Sequence, residues 1–296
     1  MPPSDDWRAA LAAVPGAALA AVLEARVTMV IGASDAGKTT LVTALALELS
    51  SRGARVGVVD SDVGQSEVGP PTTVGLGLIA GRLDRLSDAE LIAFQFVGVS
   101  SPARDIGGVV EAARRMVERA RAERFERVLV DTSGLVLGWP GHLLKQRKIE
   151  AVDPDLLVFL DRADECAPIA ERYAGRSRPL TLRLPARGRA GSRSQTARRQ
   201  HRALAFDAYL REARPVILPR STITLECPRG LDPSDSAGAV CGLGDAQGNT
   251  LALGVVEEVA PETLHVLAPL PRGALVTSAR IGREQRNGTL TSNRRC

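Results

Sequence analysis

The chain has 296 residues, 44% of them hydrophobic, and a formal net charge of +4. That is apolar material for one large domain and a small one, with a mild lean toward acidic partners such as nucleic acid. Aromatic residues make up only 3%, so the core must be built from Leu, Val, Ala and Ile.

Four cysteines (Cys166, Cys227, Cys241, Cys296) have neither metal-ligand spacing nor the density of a disulfide scaffold, and read as reduced thiols. No apolar run reaches the ~20 residues of a membrane span. The Ala/Leu-rich stretch from Ala9 to Leu23 lacks a basic start and is interrupted by Pro15-Gly16, unlike a signal sequence. Asn287-Gly288-Thr289 matches a glycosylation acceptor, with nothing else pointing to secretion. A soluble, cytoplasmic protein is expected.

Residues 1–25 read as one or two short helices broken at Pro15-Gly16. Residues 26–214 then alternate between strands and helices. Strands are predicted at 27–31, 55–59, 127–130, 155–160 and 180–184, and helices at 39–51 and 107–123. Near-continuous Val/Leu runs of four to six residues suit a parallel sheet buried on both faces. The pattern predicts an α/β doubly wound domain with its ligands at the carboxyl ends of the strands. From 215 to 296 the period changes to short strands separated by Pro, Gly and Asp turns, with Asp245–Asn249 as a hairpin loop, which reads as a small β domain.

The first motif is Gly32-Ala33-Ser34-Asp35-Ala36-Gly37-Lys38-Thr39-Thr40, between an apolar run and a helix marked by Leu41, Leu45 and Leu49. It has the spacing of the phosphate-binding loop of P-loop NTPases. Glycines let successive backbone N–H groups point inward at phosphate oxygens, and the helix adds the positive end of its dipole. Lys38 is expected on the β- and γ-phosphates and the Thr39 hydroxyl on Mg²⁺. The alternative is a chance glycine-rich turn.

The second motif follows the second strand: Asp60-Ser61-Asp62-Val63-Gly64-Gln65, then Gly69-Pro70-Pro71-Thr72-Thr73. Carboxylates at a strand tip beside a phosphate loop can hold Mg²⁺ or take a proton from the attacking group; they can also simply cap a turn. Asp131-Thr132-Ser133-Gly134 ends a later apolar strand, where Asp131 reads either as a metal-side carboxylate or as an order-giving strand-end residue.

Together with Phe96-Val-Gly, Ser101-Pro102 and an Arg-rich segment ending in Phe206-Asp-Ala-Tyr209-Leu, these motifs resemble the polynucleotide 5′-hydroxyl kinases related to the pre-mRNA cleavage complex kinase subunit and the nucleolar pre-rRNA processing kinases. The resemblance covers roughly residues 27 to 270. It implies P-loop kinase architecture and transfer of the ATP γ-phosphoryl group to the 5′-hydroxyl of RNA or DNA, in RNA processing or repair. It also implies that Asp62 activates the hydroxyl, that Asp60 supports the metal, and that Gln65 and Thr132-Ser133-Gly134 hold the substrate end. Where many relatives have Trp after that glycine, this chain has Leu135. Trp139 could supply a stacking face or belong to the core.

Ten arginines and no carboxylate lie between Arg172 and Arg202. Such a concentration reads as a loose solvated loop or as an anion-binding lid, taken here as about 172–210. In the kinases this chain resembles, a lid carries arginines to the transferring phosphate, which planar, always charged, bidentate guanidinium suits, and the resemblance implies Arg198, Arg199 and Arg202 as the candidates. Lys145, Arg147 and Lys148 read as channel-lining residues or as a solvated helix face. Asp161-Arg162-Ala163-Asp164 weakly resembles a GTPase base reader. Two other functions stay open: an ATPase or GTPase switch using water as acceptor, and a non-catalytic ATP-binding scaffold in RNA processing.

Overall fold

The computed structural model describes residues 6–81, 83–186 and 195–285. The glycine- and serine-rich part of the arginine segment, the 287–289 motif and the C-terminal tail fall outside the described residues. The chain divides into two compact units, residues 1–206 and 207–296.

The first unit opens with helices α1 (Asp6–Ala12) and α2 (Gly16–Glu24), parted at Pro15. Then follow β1 (Val27–Gly32), α3 (Lys38–Ser51), β2 (Val56–Ser61), β3 (Thr73–Leu78), β4 (Glu90–Phe96), α4 (Ile106–Ala122), β5 (Arg127–Thr132), α5 (Gly138–Val152), β6 (Leu156–Asp161), α6 (Ala167–Ala170), β7 (Leu180–Pro185) and α7 (Gln195–Tyr209). The seven strands form one sheet in the order β4-β3-β2-β5-β1-β6-β7. From β2 to β7 every pairing is parallel, while β3 runs antiparallel to β2 and β4 antiparallel to β3. This is the mostly parallel, doubly wound sheet read from the sequence.

Alternation along each strand builds two cores from one sheet. Met29 and Ile31 of β1 enter the core shared with Val109, Val117 and Met116 of α4 and Leu144 and Ile149 of α5. Val30, between them, faces the opposite core with Leu41, Leu45 and Leu49 of α3 and Val22 of α2. Helix α4 shows why it is amphipathic: its inward face is apolar, while Arg114 pairs with Glu111 and Glu118 outside.

Strands β3, β4 and β13 (Ser278–Gln285) and helices α5 and α6 were not predicted as such. Strands β3 and β4 lie in a region read only for its motifs. Their glycines and the preceding Pro70-Pro71 look like loop, yet Gly75 and Gly77 pair in register with Asp60 and Val58 of β2. Helix α5 hides because its buried face carries two lysines.

The second unit is a six-stranded sheet in the order β8 (Arg214–Pro219), β12 (Thr263–Ala268), β11 (Thr250–Val259), β10 (Ala239–Gly244), β13 (Ser278–Gln285) and β9 (Thr224–Glu226). All pairings are antiparallel except β13 with β9. Cys241, Leu243, Val256, Val266 and Ile281 fill its core. The predicted hairpin is present: Asp245 accepts from the Gln247 and Asn249 amides and closes the β10–β11 turn. Tyr209 lies in this second unit, and its hydroxyl accepts the Leu253 amide at 3.0 Å. Among the described residues no helix is long and apolar enough to cross a membrane.

Candidate active site

Strands β2, β5 and β1 are neighbours in that order and parallel, so their carboxyl ends open onto one edge. The phosphate loop leaves β1, the Asp62 loop leaves β2, and Thr132-Ser133-Gly134 leaves β5. Topology alone brings the three motifs together.

In the phosphate loop Asp35 and Gly37 take positive φ values of 58° and 93°. Gly37 then caps α3, which begins at Lys38. Lys38 folds back so that Nζ donates to the Ala33 carbonyl at 2.8 Å, across the concavity that the loop encloses. The Thr39 hydroxyl donates to Asp131 Oδ2 at 2.6 Å. Asp131 is 3% exposed, and its Oδ1 is a buried oxygen with no protein donor. Burial raises the Asp131 carboxyl, while the Lys38 charge and the Thr39 bond oppose that rise.

Thr39 and Asp131 are hard oxygen donors, one of them with a spare buried lone pair, and this fits Mg²⁺. The Asp60 carboxylate accepts from the amides of Asp62, Glu67 and Val68 and from the Ser66 hydroxyl. These four bonds give Asp60 a structural role, ordering the 62–68 loop, beside the metal-side role expected of it. Burial, and next the Asp131 charge, push its carboxyl well up. Among the described residues no three His, Cys, Asp or Glu side chains converge as a metal set.

Asp62 is half-buried. Its Oδ1 accepts from the Gly64 and Gln65 amides at 3.0 and 3.3 Å, an Asx turn that fixes the carboxylate. Among the described residues Oδ2 has no protein donor, which leaves one oxygen to take a proton. Gln65 joins this turn through its backbone.

Gly134 marks the meeting of donor and acceptor sides. A Cβ there would lie 2.3 Å from Ser34 Oγ and 2.5 Å from the Ser34 backbone nitrogen. Only glycine lets the Thr-Ser-Gly loop touch the phosphate loop. Thr132 is buried, and its hydroxyl donates to Val30 O at 2.8 Å, so it braces the sheet. Ser133 Oγ is buried with no partner.

Helix α7 brings Arg198 to 3.6 Å from Asp35 of the phosphate loop, and Arg202 donates to the Gly64 carbonyl at 3.2 Å. Arg199 is exposed. Four more of the ten arginines are engaged elsewhere. Arg172 binds Gln146, Arg176 lies over the Tyr173 ring, Arg178 pairs with Asp153 and Asp155, and Arg183 pairs with Asp161 and Asp164. Asp161 also accepts the Cys166 amide, so its carboxylate is spent on the fold, against a guanine-reading role. Trp139 is 72% exposed, outside the core, and with His142, Gln146, Ile169 and Arg172 lines a cavity of about 210 Å³.

Lys145 and Lys148 are the residues that sequence reading placed least well. Neither is solvated: both are 0% exposed. Lys145 Nζ donates to Ser133 O at 2.5 Å, and Lys148 Nζ to Ser61 Oγ at 2.8 Å.

Comparisons with known proteins bear on the family and the fold. A polyribonucleotide 5′-hydroxyl-kinase of Pyrococcus horikoshii is 37% identical over 188 residues, which cover 64% of this chain and 50% of that protein. One of Methanocaldococcus jannaschii is 31% identical over 186 residues, covering 63% and 50%. The chain thus spans about half the length of the curated relatives it matches. A solved Clp1p–Pcf11p complex shares the fold with a TM-score of 0.68 at 14% identity, over 87% of this chain and 74% of that one. The family model described as mRNA cleavage and polyadenylation factor CLP1 P-loop matches residues 32–212, more than half of the sequence, and the chain belongs to that family.

Proposed function

We propose that the protein is an ATP-dependent polynucleotide 5′-hydroxyl kinase acting on RNA, with DNA ends as a second acceptor to be tested. The single observation that carries this reading is the convergence of the phosphate loop, the Asp62 turn and the Gly134 loop on three adjacent strand ends. A nucleotide switch needs only the first of these. The names of the relatives, polyribonucleotide 5′-hydroxyl-kinases, support the choice of acceptor.

The chemistry follows from the side chains. Backbone amides of residues 32–39 cradle the β-phosphate, and Lys38 exchanges its Ala33 carbonyl for phosphate oxygens. Thr39 and Asp131 would hold Mg²⁺, which supplies charge neutralisation at the phosphate oxygens when bound. Asp62 Oδ2 takes the proton of the 5′-hydroxyl as the sugar oxygen bonds to the γ-phosphorus. The bond from that phosphorus to the β–γ bridging oxygen breaks, and ADP leaves. Arg198 and Arg202 stand where guanidinium groups can meet equatorial oxygens of the transferring group.

Incubation with γ-labelled ATP and matched 5′-hydroxyl RNA and DNA oligonucleotides tests the proposal. Label at the 5′ end of the RNA is the expected result. A folded, ATP-binding protein that labels neither polymer refutes it.

A further inference from the structure

Helix α5 presents Gly141, Leu144, Lys145, Lys148, Ile149 and Val152 as one buried face. Two members of that face are lysines, and lysine is almost never fully buried unless it is paired. Here each lysine bonds a serine at or just past a strand end. Lys145 holds the Ser133 carbonyl. Lys148 holds both the hydroxyl and the carbonyl of Ser61, at 2.8 and 3.4 Å. Ser61 in turn donates to the Asp131 carbonyl at 2.7 Å.

The residues next in sequence are those of the reaction: Asp62 follows Ser61, and Gly134 follows Ser133. One rigid helix face therefore grips the chain immediately before the proposed base and immediately before the acceptor cradle. Two side chains one helical turn apart set the separation of two loops that share no backbone hydrogen bond past Thr132.

Stability does not call for this arrangement. Burying an ammonium is expensive, and a methionine of the same reach would fill the space without that penalty. What an apolar chain cannot do is bind a carbonyl oxygen and so fix the orientation of the peptide behind Asp62.

We propose that Lys145 and Lys148 are positioning residues for the phosphoryl acceptor: they tie the Asp62 loop and the Ser133–Gly134 loop to one helix and so hold the base and the incoming 5′ end in register. The inference rests on the kinase reading above. It assigns the lysines no contact with ATP.

The test uses the full chain with Lys145→Met, Lys148→Met and Ser61→Ala, the last removing a partner of Lys148 with little change in volume. Four quantities are read: melting temperature, ATP affinity, kcat and KM for a 5′-hydroxyl RNA, and hydrogen exchange of residues 61–65 and 132–137. A displacement of ~1 Å in a reacting group costs about 10²-fold. The expected result for the methionine variants is a kcat lower by about that factor, with ATP affinity and melting temperature held or improved and exchange faster in the tied loops. Ser61→Ala combined with Lys148→Met should lose little more than the worse single variant.

Wild-type transfer with unchanged kcat in both methionine variants overturns the inference and leaves the kinase reading intact. A kcat loss matched by equal losses in ATP affinity and melting temperature also overturns it, since that is ordinary structural damage. If the wild type transfers nothing, the kinase reading falls alone. The exchange data then still decide the tether, and unchanged exchange in both variants refutes it.

Discussion

Asp62→Asn isolates the proposed base with little disturbance around it. In the structure Oδ1 of Asp62 carries the turn, accepting the Gly64 and Gln65 amides, while Oδ2 has no protein donor among the described residues. An asparagine keeps one oxygen for those two amides, so the loop geometry should survive. Its NH₂ group replaces the free oxygen, donates rather than accepts, and cannot take a proton. The loss should then equal the general-base contribution, about 10²- to 10⁴-fold in kcat, or ~3–5 kcal/mol of barrier. ATP affinity should stay within a factor of ~3, because Lys38, Thr39 and the loop amides are untouched. The assay is steady-state transfer to a 5′-hydroxyl oligonucleotide at saturating ATP, alongside a separate ATP-binding titration. A kcat within about threefold of wild type would show that Asp62 does not take the proton, whatever its position.

Gly134→Ala must push the Ser34 backbone, and it should destabilise the fold by ~1–3 kcal/mol and weaken ATP binding; denaturant unfolding and nucleotide titration check both. Arg198→Ala and Arg202→Ala should each cut kcat by ~10-fold or more, whereas Arg199→Ala, at an exposed position of α7, should stay near wild type in the same transfer assay. Chelation of divalent cations should abolish transfer and restoring Mg²⁺ should recover it, since Thr39 and Asp131, proposed to hold the ion, offer only oxygen donors. Burial lowers Lys148 from 10.5 to about 8, so the unfolded chain binds the extra proton between those values. Stability should therefore rise with pH across that window, and urea titrations of wild type and Lys148→Met should differ in slope there and run parallel below pH ~7.

Much of the fold was legible because the parallel strands are buried on both faces and announce themselves as Val/Leu runs. Val27–Gly32, Arg127–Thr132 and Leu156–Asp161 are of this kind. The antiparallel pair β3 and β4 lies beyond β2 at the edge of the sheet, and β4 is half-exposed. There the local signal is weak. Gly75 pairs with Asp60 in the strand, and that position has room only for glycine because Val68 O lies 2.1 Å from where a Cβ would be, a constraint created by the loop folding back and invisible to any propensity. Strand β13 (Ser278–Gln285), with polar residues among its apolar ones, is likewise specified by its pairing with β10.

The site separates along another line. Motifs whose chemistry is carried by the backbone, such as the phosphate loop and the Asp62 turn, were readable because glycine and Asx residues are tied to specific local geometries. Residues that act through a distant partner were not. Asp60 reads as a metal ligand because a strand-end carboxylate often is one; only the fold shows four donors on it as well. The lysines left a clue that could have been used: in α5 they occupy the slots of an apolar stripe, at the same spacing as Leu144, Ile149 and Val152. A charge in a core position must find a polar partner, and near a strand end the partners on offer are the carbonyls of the residues that leave for the site. Lys145 and Lys148 thus stand beside Asp60 and Asp131 at the strand ends, where burial pulls the two lysines down and pushes the two carboxyls up. The cations placed at the phosphate loop are Lys38, bonded to the Ala33 carbonyl, and Arg198 of α7, paired with Asp35.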